Sequence, residues 1–460
     1  MSDRMETRAA LLALERAVLI ATADRIARAP SLAVKMFLCR WVWETACRVR
    51  RLWAAFPAAL RDAASEATAG PRTRRLMDAW RAVATEDAFL VALRGVVAPL
   101  AMRAYASSVE SHRSRADQLR RDAGRRRMPM TTSWHRLAHP DSELDRICGS
   151  MKRPRLEASH ITRELEELHD VAAEFALERD TLPPTAPAGR TGATDAATVR
   201  TASMLTRPER EHVIRALRVG EAHEEIWYVT DTNGHRRYLH QLIAFEISTF
   251  EACSRHIAEF ASMPWRFHYD VAGQIRDELR HLEMWLERLP HTGGRLGEWP
   301  LSAHEYAVCA GHDLPSRIGL LERLVEASAL DSLDLHRCLW ETRGDQVMTA
   351  YLARVQVDEI GHVRLGNHWL RRLCADDAEI ERLVTRAESA ARERALAAAR
   401  ALERAGLVPP GNAELVRRKF DDPLALAVDT TARTRAGFTA AEIAVEADRR
   451  RHAARQEVAT

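Results

Sequence analysis

Five times in this chain of 460 residues a glutamate stands three positions before a histidine: Glu157/His160, Glu166/His169, Glu209/His212, Glu278/His281 and Glu359/His362. Residues three apart share one face of a helix, so both side chains of such a pair can reach a single metal ion. The spacing alone is a weak signal, because a long glutamate-rich helical chain contains such pairs by chance. A further condition must separate ligands from surface pairs.

Geometry supplies that condition. In a four-helix di-metal site, two helices each give Glu-x-x-His and the other two each give one glutamate, all at the same depth. For an antiparallel pair, the lone glutamate and the Glu-x-x-His must then be equidistant from the turn that joins them. Glu246 lies 32 residues before Glu278, and their midpoint, residue 262, falls beside the turn predicted at Pro264. Glu326 lies 33 residues before Glu359, with a midpoint between Thr342 and Arg343, beside Gly344. Each arm of about 16 residues rises roughly 24 Å out and back, which returns the carboxylates to one level. At 32 and 33 residues upstream of the other three pairs stand Arg125 and Gly124, Trp134 and Ser133, and Leu177 and Ala176, none of them acidic.

The residue types suit the task. Four carboxylates offset most of the charge of two divalent ions, and two imidazoles add ligands acceptable to Fe(II) or Mn(II). Both selected motifs read Asp-Glu-x-x-His, with Asp277 and Asp358 before the glutamates. Such an aspartate can accept the second ring N–H of a metal-bound imidazole and fix its tautomer; a solvent-facing role is the blander reading. Two rivals stay open as ligands. Glu251 could replace Glu246, although it points about 140° away round the helix, and Glu322 lies one turn from Glu326 on the same face. His240, His256, His268, His312 and His368 read as surface or satisfied core histidines.

These side chains need helices to carry them, and nearly every segment has helical periodicity, dominated by Ala, Leu, Arg and Glu. The pattern predicts an all-α chain. Helices are expected over 5–28, 31–55, 72–84, 87–121 and 157–179, then over 236–262, 265–289, 303–330 and 344–374, and finally over 377–405 and 434–455. The Pro-, Thr-, Ala- and Gly-rich stretch within 181–200 reads as a linker between an N-terminal helical domain, 1–180, and a four-helix bundle, 201–376, which is followed by C-terminal helices, 377–460. The connection LPHTGGRLGEWPLS is long enough, at roughly 45 Å if extended, to cross the length of a bundle.

A net charge of +3 excludes a polycation that binds nucleic acid by charge alone. The arginines of RSRADQLRRDAGRRRMPM, 113–130, have no interleaved aromatics and read as a solvated helix end. Seven cysteines without a Cys-x-x-Cys pair read as buried free thiols of a reducing cytoplasm. No apolar span is long enough for a membrane helix.

LHQLIAFEISTFE, RDELRHLEMWLERL, HDLPSRIGLLERLVEASALD and VQVDEIGHVRLGNHWLRRLC together resemble the ferritin-like superfamily. The likeness is closest to a bacterial branch mostly lacking assigned function and distantly similar to the tRNA hydroxylases. It implies a ferritin-like four-helix bundle with a long crossover, and it puts Glu246, Glu278, His281, Glu326, Glu359 and His362 at the di-iron ligand positions, with Glu278 and Glu359 as bridges. That branch often has a histidine where this chain has Ala244. A fainter likeness in FLCRWVWETACRVRRLW puts Cys47 and Arg48 where a related helix carries ligands, so a second bundle there would have lost its site.

The expected activity is that of an O₂-dependent di-iron oxidoreductase. Two Fe ions, or an Mn/Fe pair, with O₂ as co-substrate and an external electron donor, would hydroxylate or N-oxygenate a small organic substrate. The paired aspartates and the large remainder of the chain, able to wall a pocket, favour this over a ferroxidase or peroxide-detoxifying protein. A metal-free helical interaction module is the third reading. Neither nucleic acid nor a membrane is an expected partner, and a homodimer stays open.

Overall fold

The computed structural model describes residues 3–29, 31–61, 71–83, 86–102, 232–298, 301, 304–406, 410–421 and 428–457. Among them every regular element is helical. The helix expected over 157–179, most of that over 87–121, the 181–200 linker, the arginine-rich 113–130 and three of the five Glu-x-x-His pairs lie outside the described residues.

In chain order the α-helices are α1 Asp3–Ile26, α2 Leu32–Ala54, α3 Pro71–Ala82, α4 Glu86–Ala92, α5 Thr232–Glu259, α6 Trp265–Arg288 and α7 His304–Cys309. They continue with α8 Leu314–Ile318, α9 Glu326–Thr342, α10 Gln346–Leu373, α11 Asp377–Arg404, α12 Asn412–Asp421, α13 Thr430–Arg435 and α14 Ala440–Glu457. A π-helical stretch, Gly319–Val325, joins α8 to α9 without a break. The single helix expected over 303–330 is thus interrupted. Gly311 at φ 75° ends α7, and Asp313 restarts the chain as the cap of α8, accepting from the Ser316 amide at 2.9 Å. Gly437, at φ 89°, likewise splits the helix expected over 434–455, and Thr439 and Glu442 form a reciprocal capping box at the start of α14.

By internal contacts the chain forms two units, Met1–Arg190 with Ile257–Gly273, and Thr191–His256 with Gln274–Thr460. In the first, α1 and α2 share a buried ion pair, Arg48 to Glu15 at 2.9 Å, with the guanidinium also over the Trp41 ring. The residue at one of the faint ligand-like positions is therefore a cation already matched to its own carboxylate. Lys35 reaches back to the Ile26 carbonyl at 2.7 Å and caps the end of α1.

In the second unit, side-chain contacts give the helix directions. Tyr238 meets His336 at 3.1 Å while His256 lies 4.0 Å from Glu322, so α5 runs against α8 and α9. Tyr351 donates to Glu287 at 3.0 Å, and Arg288 pairs with Asp345, the cap of α10, so α6 runs against α10. With α9 and α10 joined by a short turn at Gly344 (φ 73°), α6 and α9 must point the same way. The chain between Arg288 and Leu314 therefore returns along the length of the helices. Gly366 makes the close approach of α10 to the π-helical stretch feasible, since a Cβ there would lie 2.4 Å from that of Glu322.

Candidate metal centre

One stripe of α6, Gln274, Glu278, His281 and Trp285, repeats at spacings of four, three and four, and all four side chains are buried. Glu246 on α5, Glu326 at the start of α9, and Glu359 and His362 on α10 are buried as well. The structure brings all six selected residues together. Glu278, Glu326, Glu359 and His362 form one group able to hold a metal ion, and Glu246, Glu278 and His281 form a second, with Glu278 common to both.

The two imidazoles define the halves. His281 Nδ1 lies 3.2 Å from Glu278 Oε2 and 3.6 Å from both Glu246 Oε2 and Glu359 Oε1. His362 Nδ1 lies 3.2 Å from Glu278 Oε1 and 3.0 Å from Glu359 Oε2. The carboxylates of Glu278 and Glu359 thus each face one imidazole with one oxygen and the other imidazole with the second. Glu246 belongs to the His281 half and Glu326 to the His362 half. The ring centroids are 6.1 Å apart.

Behind the rings stand the two aspartates, each on the opposite helix. Asp358 Oδ2 of α10 contacts His281 Nε2 of α6 at 3.2 Å, and Asp277 Oδ2 of α6 lies 3.7 Å from His362 Nε2 of α10, an ion-pair distance. Arg280 ties the aspartates together, 2.7 Å from Asp277 and in a short contact with Asp358. Two further side chains join the site without having been anticipated. Trp285 donates to Glu246 Oε1 at 2.9 Å, and Gln274 Nε2 lies 3.3 Å from both Glu278 and Glu326. Their positions four residues from a motif residue, on its face, were the available signal.

Electrostatics show how costly this cluster is without a cation. Burial pushes Glu246 up to about 8, and burial with the charges of Glu359 and Glu278 raises Glu326 well above the usual carboxylate range. Burial disfavours charge on His281, yet Asp358 and Glu246 raise it well above an ordinary histidine. His362 is raised in the same way, against burial, by Glu278 and Glu359. Burial would raise Glu359 too, but His362 holds it at about 2. Glu246 Oε2 and Glu326 Oε2 are buried without a hydrogen-bond partner. Unpaired buried carboxylate oxygens converging on imidazole nitrogens fit a site built for metal ions.

The rivals resolve differently. Glu251 is buried outside both groups, whereas Glu322 is buried one turn from Glu326 and belongs with other partners. Among the histidines, His240 accepts from the Gly297 amide at 3.0 Å, His268 contacts the Phe260 carbonyl at 3.1 Å, and His368 is exposed. His256 departs from the expectation of a satisfied core histidine, since it is fully buried and neither ring nitrogen has a hydrogen-bond partner. The cysteines among the described residues are free, but Cys338 is exposed and Cys47 and Cys374 are half-buried, so they are not uniformly core thiols. Among the described residues no helix is long and apolar enough to cross a membrane.

No solved structure matches this chain. An uncharacterized protein of Haemophilus influenzae (strain ATCC 51907 / DSM 11121 / KW20 / Rd) is 33% identical over 100 residues, 21% of this chain and 35% of that relative. The match therefore spans about a third of the relative's length. A family match is far more extensive: residues 158–444, more than half of the chain and including all six clustered residues, match the family described as "Protein of unknown function (DUF455)", and the chain belongs to that family.

Proposed function

We propose that this chain is a ferritin-like, non-haem di-iron oxygenase that hydroxylates or N-oxygenates a small organic substrate. The observation that carries the reading is the span of Glu278 and Glu359 across both imidazoles, with Glu246 and Glu326 each confined to one half. Two carboxylates that face both imidazoles, and two that each face one, would suit a dinuclear carboxylate site. Two bound Fe(II) ions would supply O₂ binding and reduction: with two electrons from a donor and two protons, one oxygen atom enters the substrate and the other leaves as water.

The chain's own residues hold and orient. Asp358 accepts from His281 Nε2, which fixes the tautomer that presents Nδ1 inward, and Arg280 pins the carboxylate. Trp285 holds one oxygen of Glu246 and leaves the other to the centre. A cavity of about 790 Å³ reaches Glu246 and Glu359 and is walled there by Tyr238, Leu242, Phe245 and Trp285. That volume is ample for a small organic molecule beside the site, which a ferroxidase would not need.

The test is anaerobic loading with Fe(II), reduction, and exposure to O₂ with candidate substrates, followed by mass spectrometry with ¹⁸O₂. Incorporation of label into a substrate supports the reading. Iron that oxidises at one rate whatever ligand is added, without any labelled organic product, would leave a ferroxidase instead.

A further inference from the structure

Two turns along α5 from Glu246, a second buried cluster has no part in the centre described above. Cys253 and His256, three residues apart on one helical face, meet Glu322 from the π-helical stretch. All three are fully buried, and one ligand atom from each lies within 4.8 Å of the others. His256 Nδ1 and Glu322 Oε1 stand 4.0 Å apart. Neither nitrogen of His256 and neither oxygen of Glu322 has a hydrogen-bond partner. A neutral imidazole and a carboxyl group together bring four polar atoms out of water, and leaving all four unmatched is costly.

We propose that Cys253, His256 and Glu322 form a third, mononuclear metal site that takes zinc. One thiolate, one imidazole and one carboxylate are all zinc ligands, at about 2.3, 2.0 and 2.0–2.2 Å from the ion. Tetrahedral ligands at those lengths stand roughly 3.3–3.8 Å apart, so the present spacing closes with side-chain adjustments of about an ångström. The two anionic ligands neutralise Zn²⁺, which makes an enclosed site electrically tolerable. Sulfur also separates it chemically from the Glu/His centre, whose oxygen and nitrogen donors suit iron or manganese. The π-helical stretch gives the site its carboxylate: Glu322 and Glu326 sit one turn apart, the first serving the mononuclear site and the second the dinuclear one.

The full-length protein, stripped of metal and reloaded with Co²⁺, tests this by metal content and absorption. A thiolate-to-cobalt charge-transfer band in the near ultraviolet is expected from the unaltered chain, since among the described residues the proposed site is the one cluster that offers sulfur together with buried nitrogen and oxygen ligands. Cys253→Ala should abolish the band and remove one metal per chain while keeping two. Glu278→Ala with Glu359→Ala should keep the band and one metal. His256→Gln, which leaves the thiol in place, should weaken Zn²⁺ retention by at least tenfold in chelator competition. The proposal is overturned by a Co²⁺-loaded unaltered chain with no thiolate band, or by a band that survives Cys253→Ala. A chain that holds one metal with the band would support the zinc site and remove the dinuclear reading, so the two stand or fall separately.

Discussion

Asp358 reaches across the bundle to His281, 3.2 Å from its Nε2, although the histidine in its own motif is His362. Asp277 makes the reciprocal crossing at the longer distance of 3.7 Å. Each aspartate therefore orients the histidine of the facing helix, and Arg280 couples the two arrangements. Asp358→Asn keeps the volume but removes the anion, so metal affinity should fall about 10–100-fold. Asp277→Asn should cost less, because its contact is looser. Competition titration with a chromophoric chelator gives both values, and an equal loss in the two variants would contradict the asymmetry.

The proposed bridging roles of Glu278 and Glu359 and the proposed terminal roles of Glu246 and Glu326 predict different stoichiometries. Glu278 and Glu359 each face both imidazoles, so replacing either with alanine should bring the dinuclear centre from two metals to nearly none. Glu246→Ala or Glu326→Ala strips one half and should leave about one. Elemental analysis of the purified variants decides this, with circular dichroism confirming that the helices persist.

How much of this was legible beforehand depended on whether a rule linked positions far apart in the chain. The equal arms about the turns at 260–264 and 343–345 singled out Glu246 and Glu326, because helical rise is fixed and a short turn returns the chain at the same level. Crossing of the aspartates was not legible, since it depends on the lateral offset of α6 and α10, which no spacing within one helix encodes. The break at Ala310–Asp313 was written in Gly311 and Asp313, but an apolar run on both sides masked it. Cys253, His256 and Glu322 were missed as a group because each looked ordinary alone: a core thiol, a core histidine, and a rival for a ligand position already filled.

Metal binding to this centre competes with protons, which sets a pH dependence. Burial raises Glu246 to about 8 and Glu326 well above the carboxylate range, while both imidazoles sit well above an ordinary histidine. A metal ion must compete with protons that these groups hold more tightly than ordinary carboxyls and imidazoles do. Affinity should rise with pH through 6 to 8 and fall on acidification, as the protonated forms compete. Calorimetric titration in buffers of different ionisation enthalpy should show net proton release on metal binding; binding without proton release would contradict the assignment.

Gly366 packs its backbone against Glu322, where a Cβ would lie 2.4 Å from Cβ of Glu322 and 3.6 Å from Ile318 Cγ2. The first of these atoms sits next to the backbone and cannot swing away, so α10 or the π-helical stretch must move. Gly366→Ala should cost about 1–3 kcal/mol, the usual range for forced overpacking. Thermal unfolding measures the loss; an unchanged midpoint would mean that the helices part without penalty.

Asp331 on α9 anchors the C-terminal helices. Its carboxylate is buried, 2.6 Å from Arg433 of α13 and 2.8 Å from Arg450 of α14, and it also accepts from the Asp429 amide at 2.8 Å. Around it Ala327, Leu330, Ile360 and Val363 pack against Ala436 and Phe438. Asp331→Ala would leave two nearly buried guanidinium groups without their shared anion, and the stranded charges should make the loss about 3–5 kcal/mol in urea unfolding. The triple replacement Asp331→Leu, Arg433→Met, Arg450→Met removes anion and cations together and should recover most of that loss, since apolar substitutes of similar size stand in for a buried ion network at little net cost. A triple variant no more stable than Asp331→Ala would show that the stability comes from the hydrogen bonds to Asp331 rather than from matched charge, and would place the anchor in the Asp429 amide contact.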